Sequence, residues 1–244
     1  MTSKRFARRL LTAGLLTACA PALAHFPWIA ADVDDVDAPF IEVHFGHGPG
    51  DATPLPAERV DTITSLNARG AAQTLTPDNP AQTRFTLTAD AVAVAVIQQP
   101  GYWSPKSGGG GERRPRSEVP DAESCVYSRN SLKAMLDFSA IATGNDLGHP
   151  LEITLDALSP DDDALQLRVR FLDAPYTGRL SLIGVSPEAR PALFDGDDQG
   201  RFTVPRPDAG RWMLYARATT PYPDTARCDQ NGYNATLVLD IPKR

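Results

Sequence analysis

Hydrophobic positions along this chain recur in short alternating or β-branched runs and seldom hold a helical period. Phe40 to Phe45 (FIEVHF), Thr83 to Thr88, Ala91 to Gln98 (AVAVAVIQ), Leu151 to Leu155, Leu165 to Phe171 and Ala235 to Ile241 read as strands. Gly, Pro, Asn and Asp punctuate these runs, as expected of antiparallel sheets. The 22 prolines suit many short connections better than long helices. One segment, Ser128 to Phe138 (SRNSLKAMLDF), has the spacing of a helix. The pattern as a whole predicts an all-β chain built of two β-sandwich domains.

Two breaks organise the strands. Ser104 to Pro120 (SPKSGGGGERRPRSEVP) carries four consecutive glycines and three arginines, and reads as a long flexible loop. A solvated insertion is the first reading of it; arginines gripping an anionic partner are the second. Gly144 to Pro150 (GNDLGHP) then meets a fresh strand, which places a domain boundary between residues 145 and 146.

The N-terminus stands apart from this pattern. A basic stretch (Lys4, Arg5, Arg8, Arg9), an apolar run from Leu10 to Ala20 and the small-x-small end Ala22-Leu23-Ala24 make a secretory signal peptide over residues 1–24. Cleavage after Ala24 leaves domains over 25–145 and 146–244, with His25 as the first residue. Its α-amine and imidazole Nδ1 can then chelate one metal ion in a small ring, and imidazole suits Cu, Ni and Zn. The reference pKa of an α-amine is roughly 7.7–8.0, so a metal displaces little proton at neutral pH. Leu16-Thr17-Ala18-Cys19 offers a second processing route, a lipobox cleaved before a lipid-bearing Cys19, which leaves His25 internal. Pro21, four residues before His25, favours the first route.

Charge narrows the function. The chain has 24 Lys and Arg against 30 Asp and Glu, a net charge of −6. Loss of the signal removes four of the basic residues and no acidic one, leaving 20 against 30, or −10. Such acidity argues against nucleic acid and against a polybasic membrane anchor. No second apolar stretch approaches the roughly 18 residues of a membrane span, so the mature chain is expected to be periplasmic without a transmembrane segment. No Gly-x-Ser-x-Gly elbow, Walker loop or HExxH motif occurs, and the chain is not read as an enzyme. The acidic clusters at Asp32 to Asp37, Asp161 to Asp163 and Asp195 to Asp198 lack EF-hand spacing. Cys125 and Cys228, the mature pair, read as a disulfide in an oxidising compartment. On a chain-entropy estimate such a bridge contributes about 4–5 kcal/mol.

Several motifs resemble those of a family of exported bacterial proteins grouped with the NikM-like accessory component of nickel and cobalt uptake. They are Ala24-His25-Phe26-Pro27-Trp28, Gly46-His47-Gly48 with Asp51, Pro150-Leu151-Glu152-Ile153, Asp198 to Phe202 leading into Ala209-Gly210-Arg211-Trp212, and Asn234 to Leu237. The resemblance implies periplasmic β-sandwich domains, the second transthyretin-like or Ig-like. It also implies a metal held at the extreme N-terminus, with His25 matching the terminal histidine and His47 one from within the domain. This chain opens on histidine and not on Met-His, which is similar to the amine-plus-imidazole histidine brace of secreted copper proteins. The metal is accordingly Cu, Ni or Co.

Four histidines exist: His25, His44, His47 and His149. On the strand FIEVHF, Ile41, Val43 and Phe45 share one face and Glu42 and His44 the other. His47 follows Gly46, where the chain can turn, so both rings can converge with His25 on one ion. The bland alternative is one solvated histidine and one turn histidine, with His149 structural. Trp28 either covers such a site or packs in the core, and Asp51 either orients His47 or shapes a turn. The expected function is periplasmic metal uptake or buffering, with an envelope transporter component as possible partner. A metal-free Ig-like interaction module is the alternative and a copper-dependent oxidative enzyme the lesser one.

Overall fold

The structure, a computed structural model, describes residues 26–32, 39–49, 51–55, 57–77, 84–138, 146–159, 163–184 and 191–243. The signal segment, His25 and Asp161 therefore lie outside the described residues. The first strands are β1 (Phe26–Asp32), β2 (Phe40–Gly48), β3 (Asp51–Pro54), β4 (Thr62–Asn67), β5 (Ala72–Leu75) and β6 (Arg84–Thr86). Then come β7 (Ala91–Pro105), β8 (Gly111–Glu112), β9 (Val126–Met135), β10 (Leu151–Leu158), β11 (Ala164–Phe171) and β12 (Ala174–Pro175). The last are β13 (Arg179–Gly184), β14 (Ala192–Asp195), β15 (Arg201–Pro205), β16 (Gly210–Pro221) and β17 (Gln230–Ile241). Two short 3-10 turns, Ala57–Arg59 and Arg116–Glu118, are the helical pieces among the described residues.

These strands form three sheets. The largest runs β14-β13-β16-β17-β9-β7-β4-β5, with β8 folded back on β7. Its pairs are antiparallel except β17 with β9, which run parallel with Gln230 opposite Val126. A sheet of β1, β2, β3 and β6 and another of β10, β11, β12 and β15 make the remaining layers. Ile29, Ile41 and Val43 of the β1–β2 sheet share one core with Val94, Leu132, Met213 and Val238 of the large sheet. Ile153, Leu165 and Phe202 of the β10–β11 sheet share the other core with Leu180, Leu214 and Leu237.

Adjacent residues of the large sheet thus go to opposite cores: Met213 to one and Leu214 to the other, Val238 to one and Leu237 to the other. A strand covered on both faces reads as a continuous apolar run instead of an alternating one. The all-β, sandwich-like prediction holds. Its strands on either side of residue 145 meet in one shared sheet, through the β9–β17 pair.

Two local expectations are corrected. Ser128 to Phe138 is not a helix; most of it is β9, buried on both sides, so its apolar positions lose the period of two. The stretch 104–120 is not a free loop. Ser104 pairs with Glu112 across a β7–β8 hairpin, Glu112 binds both Lys106 and Arg114, and Ser104 Oγ donates to Arg114 O at 2.8 Å. Further on, Val119 is buried and Arg116 pairs with Asp229. Its glycines permit this return: Gly109 and Gly110 adopt φ +89° and +72°. A Cβ on Gly111 would lie 2.7 Å from the Trp103 ring.

Candidate functional site

The two described candidate metal residues, His44 and His47, lie in the second half of β2. Phe26 opens β1 opposite Gly46, and Trp28 stands opposite His44. On the other side of β2, Gly46 pairs with Ala52 and Gly48 with Asp51, so His47 is the extra residue of a bulge. A bulge re-aims the side chain it carries. Gly48 takes φ +143°, and a Cβ there would meet Ile183 Cγ2 at 3.0 Å, so glycine suits this turn.

His44 occupies a half-buried position on the same strand face as Glu42, whose Oε2 lies 3.0 Å from its Nε2. Its ring tilts against the Trp28 indole, centroids 5.1 Å apart. His44 Nδ1 and Trp28 Nε1 are both buried without a hydrogen-bond partner. Trp28 is 2 % exposed and belongs to the core, and it also covers His44. As expected, Ile41 and Val43 point into the core; Phe45, assigned to the same face, is 39 % exposed and lines a groove with Trp103.

His44 and His47 therefore sit three residues apart on β2, flanking Gly46. Among the described residues, no group of three or more His, Cys, Asp or Glu side chains is placed to hold a metal ion. His25, the donor assigned to the N-terminus, lies outside the described residues. His149 is remote from β2 in the fold and belongs to a different network. Its backbone N–H donates to Glu152 Oε2 at 3.0 Å, and burial pushes its imidazole pKa down.

That network was not legible as chemistry in the sequence. Lys133 of β9 and Glu152 of β10 form an ion pair between two sheets, their side chains 8 % and 3 % exposed. Glu152 Oε1 also accepts the Leu147 N–H at 2.8 Å. Burial pushes the Lys133 pKa down against the opposing pull of Glu152. The available signal was Lys133 within an otherwise apolar run, LKAML.

Cys125 and Cys228 are disulfide-bonded, Cα atoms 4.8 Å apart, closing 103 residues of sequence separation. Around the bridge, Asp229 Oδ2 accepts the Cys125 N–H at 2.7 Å. The bond ties the segment after the hairpin to the start of β17 and so sets the register of the parallel β9–β17 pair. Among the described residues, no helix is long and apolar enough to cross a membrane.

Fold and bridge together define a disulfide-stapled, layered all-β protein with a histidine-bearing strand end. The chain belongs to the family described as domain of unknown function DUF4198, which matches residues 22–220. No curated protein matches the sequence. Among solved structures, the "tetra-tandem repeat in extending region of large adhesion protein" is similar at TM-score 0.23 and 11 % identity, over 89 % of this chain. This chain spans 49 % of that one, and so slight a likeness carries no argument about fold or function.

Proposed function

We propose that the mature chain is a periplasmic protein that binds one transition-metal ion (Cu, Ni or Co) at its N-terminus, for uptake or buffering. The observation that carries this reading is the pairing of Phe26 with Gly46. Phe26 directly follows His25 and Gly46 directly precedes His47, and consecutive Cα atoms are about 3.8 Å apart. Chain connectivity alone keeps whatever precedes Phe26 within reach of the His47 bulge, which supports a site shared by the two histidines. His44, with a buried Nδ1 lacking a partner, stands two residues further along β2 from Gly46.

The donor chemistry suits the ion. An α-amine and two or three imidazoles give the nitrogen-rich set that Cu(II) and Ni(II) prefer in tetragonal geometry. Glu42, at 3.0 Å from His44 Nε2, fixes that ring as outer carboxylates fix metal-ligating histidines. The signal-like N-terminus and the disulfide both fit an oxidising envelope compartment. The likeness of the Gly-His-Gly and Ala-His motifs to NikM-like proteins supports the same reading, with an envelope transporter component as partner.

Electron paramagnetic resonance of the Cu(II)-loaded mature protein tests the proposal. Nitrogen hyperfine structure is expected in the wild type, with one imidazole nitrogen fewer in His47→Ala. Insertion of one glycine before His25 is expected to abolish the site by moving the amine. A spectrum unchanged by both variants refutes it.

A further inference from the structure

The face of the large sheet beneath β1 and β2 changes character along its strands. Under the first sheet a register row runs Val96, Leu132, Thr236, Tyr215 across β7, β9, β17 and β16. The next row on the same face is Gln98, Asn130, Asn234, Arg217. Its amides form a directed relay. Asn130 Nδ2 donates to Gln98 Oε1 at 2.7 Å, Asn234 Nδ2 to Asn130 Oδ1 at 2.8 Å, and Tyr215 OH to Asn234 Oδ1 at 2.9 Å. The relay uses one N–H of each asparagine and leaves the second for a ligand.

Asn130, Asn234 and Arg217 of this row line a groove of about 540 Å³. Small-molecule sites span roughly 300–1,000 Å³. Phe45 of β2 forms one wall. Trp103 and Arg113 form the other, where β7 bulges between Gln98 and Gly101. Phe45 and Trp103, both lining the groove, are 39 % and 43 % exposed.

The charge in the groove is of one sign. Arg113 and Arg217 line it, and none of its lining residues is acidic. Elsewhere Arg114, Arg116 and Arg170 hold carboxylates, whereas no ion pair joins Arg113 or Arg217 to a described carboxylate. Partial burial, and then the neighbouring Arg59, lower the Arg113 pKa. In a chain of net charge −6, two guanidiniums beside an amide floor make a local positive patch.

We propose that this groove binds a small organic anion, a carboxylate carried on a flat ring. The guanidiniums match carboxylate geometry with paired N–H donors, the amides bind ring substituents, and Trp103 and Phe45 take the ring against their faces. The site stands on its own lining and does not rest on the metal reading.

Calorimetric titration of the metal-free mature protein with isophthalate tests it, with inorganic sulfate and benzyl alcohol as comparison probes. Saturable one-to-one isophthalate binding is expected, weakened tenfold or more in Arg113→Gln, in Arg217→Gln and in Trp103→Ala. Arg201→Gln on β15, in a different sheet, is expected to bind as the wild type does. Both groove arginines are exposed, and unchanged melting temperatures show that their variants fold. Absence of saturable isophthalate binding overturns the proposal, as does sulfate or benzyl alcohol binding equally tightly, or full affinity in both arginine variants.

Discussion

Replacing Lys133 with methionine removes the ammonium from an ion pair sealed between two sheets. The Lys133 and Glu152 side chains are 8 % and 3 % exposed, so little water remains to solvate the charge left behind. Removing one member of such a pair costs about 3–5 kcal/mol. Glu152 keeps two other donors, the Leu147 N–H at 2.8 Å and the His149 N–H at 3.0 Å, which places Lys133→Met at the lower end. Near 3 kcal/mol, the melting temperature falls by roughly 6–12 °C in a domain of this size. Glu152→Ala is expected to cost more, because it removes the carboxylate from the Lys133 ammonium and from both N–H groups. In Lys133→Met/Glu152→Gln no charge remains, and the amide oxygen still accepts one N–H, so the double variant is expected to lose less than Glu152→Ala. Thermal and urea unfolding of the oxidised protein measure these three and Glu152→Gln alone. A Lys133→Met loss below about 0.5 kcal/mol, or a double variant equal to the sum of Lys133→Met and Glu152→Gln, refutes the reasoning, since coupled sites are non-additive.

Burial pushes the Tyr215 hydroxyl up to about 12. Above pH 10 the unfolded chain loses this proton while the folded chain keeps it, so stability falls as pH rises. Between pH 10 and 11 the fall is about 1 kcal/mol from this group, and urea unfolding should show it diminished in Tyr215→Phe. Cys125→Ser/Cys228→Ser is expected to cost about 4–5 kcal/mol, read as an earlier urea midpoint than the oxidised wild type. Gly200 adopts φ +70°, and a Cβ there would lie 2.5 Å from Val169 O. Gly200→Ala should therefore lose more than about 1 kcal/mol by urea unfolding; a neutral result contradicts the turn geometry.

Strands covered on one face, or held by strong alternation, were legible in the sequence. FIEVHF became β2, AVAVAVIQ the start of β7 and LEITL the start of β10. The Cys125–Cys228 pairing was legible because, with Cys19 in the signal-like segment, two cysteines leave one intramolecular bridge. β9 was hidden by burial on both faces, which erases the alternation that marks a strand. Its parallel pairing with β17 joins residues about a hundred apart, beyond any local signal. The hairpin at 104–120 depends on Glu112 meeting Lys106 and Arg114, contacts that composition does not encode. At the candidate site, His44 was placed on the right strand by pattern, whereas His47, expected at a turn past Gly46, is the bulge residue of β2; the Trp28 and Glu42 contacts of His44 follow from register. The amide row was invisible because Gln98, Asn130 and Asn234 lie far apart in sequence and share only a face of one sheet.

The most direct test of the metal assignment is the native intact mass of the exported protein, before and after one equivalent of Cu(II) or Ni(II). A mass beginning at His25, with one ion retained by the wild type and lost in His25→Ala, is the predicted result. A lipidated start at Cys19, or no ion retained, contradicts it.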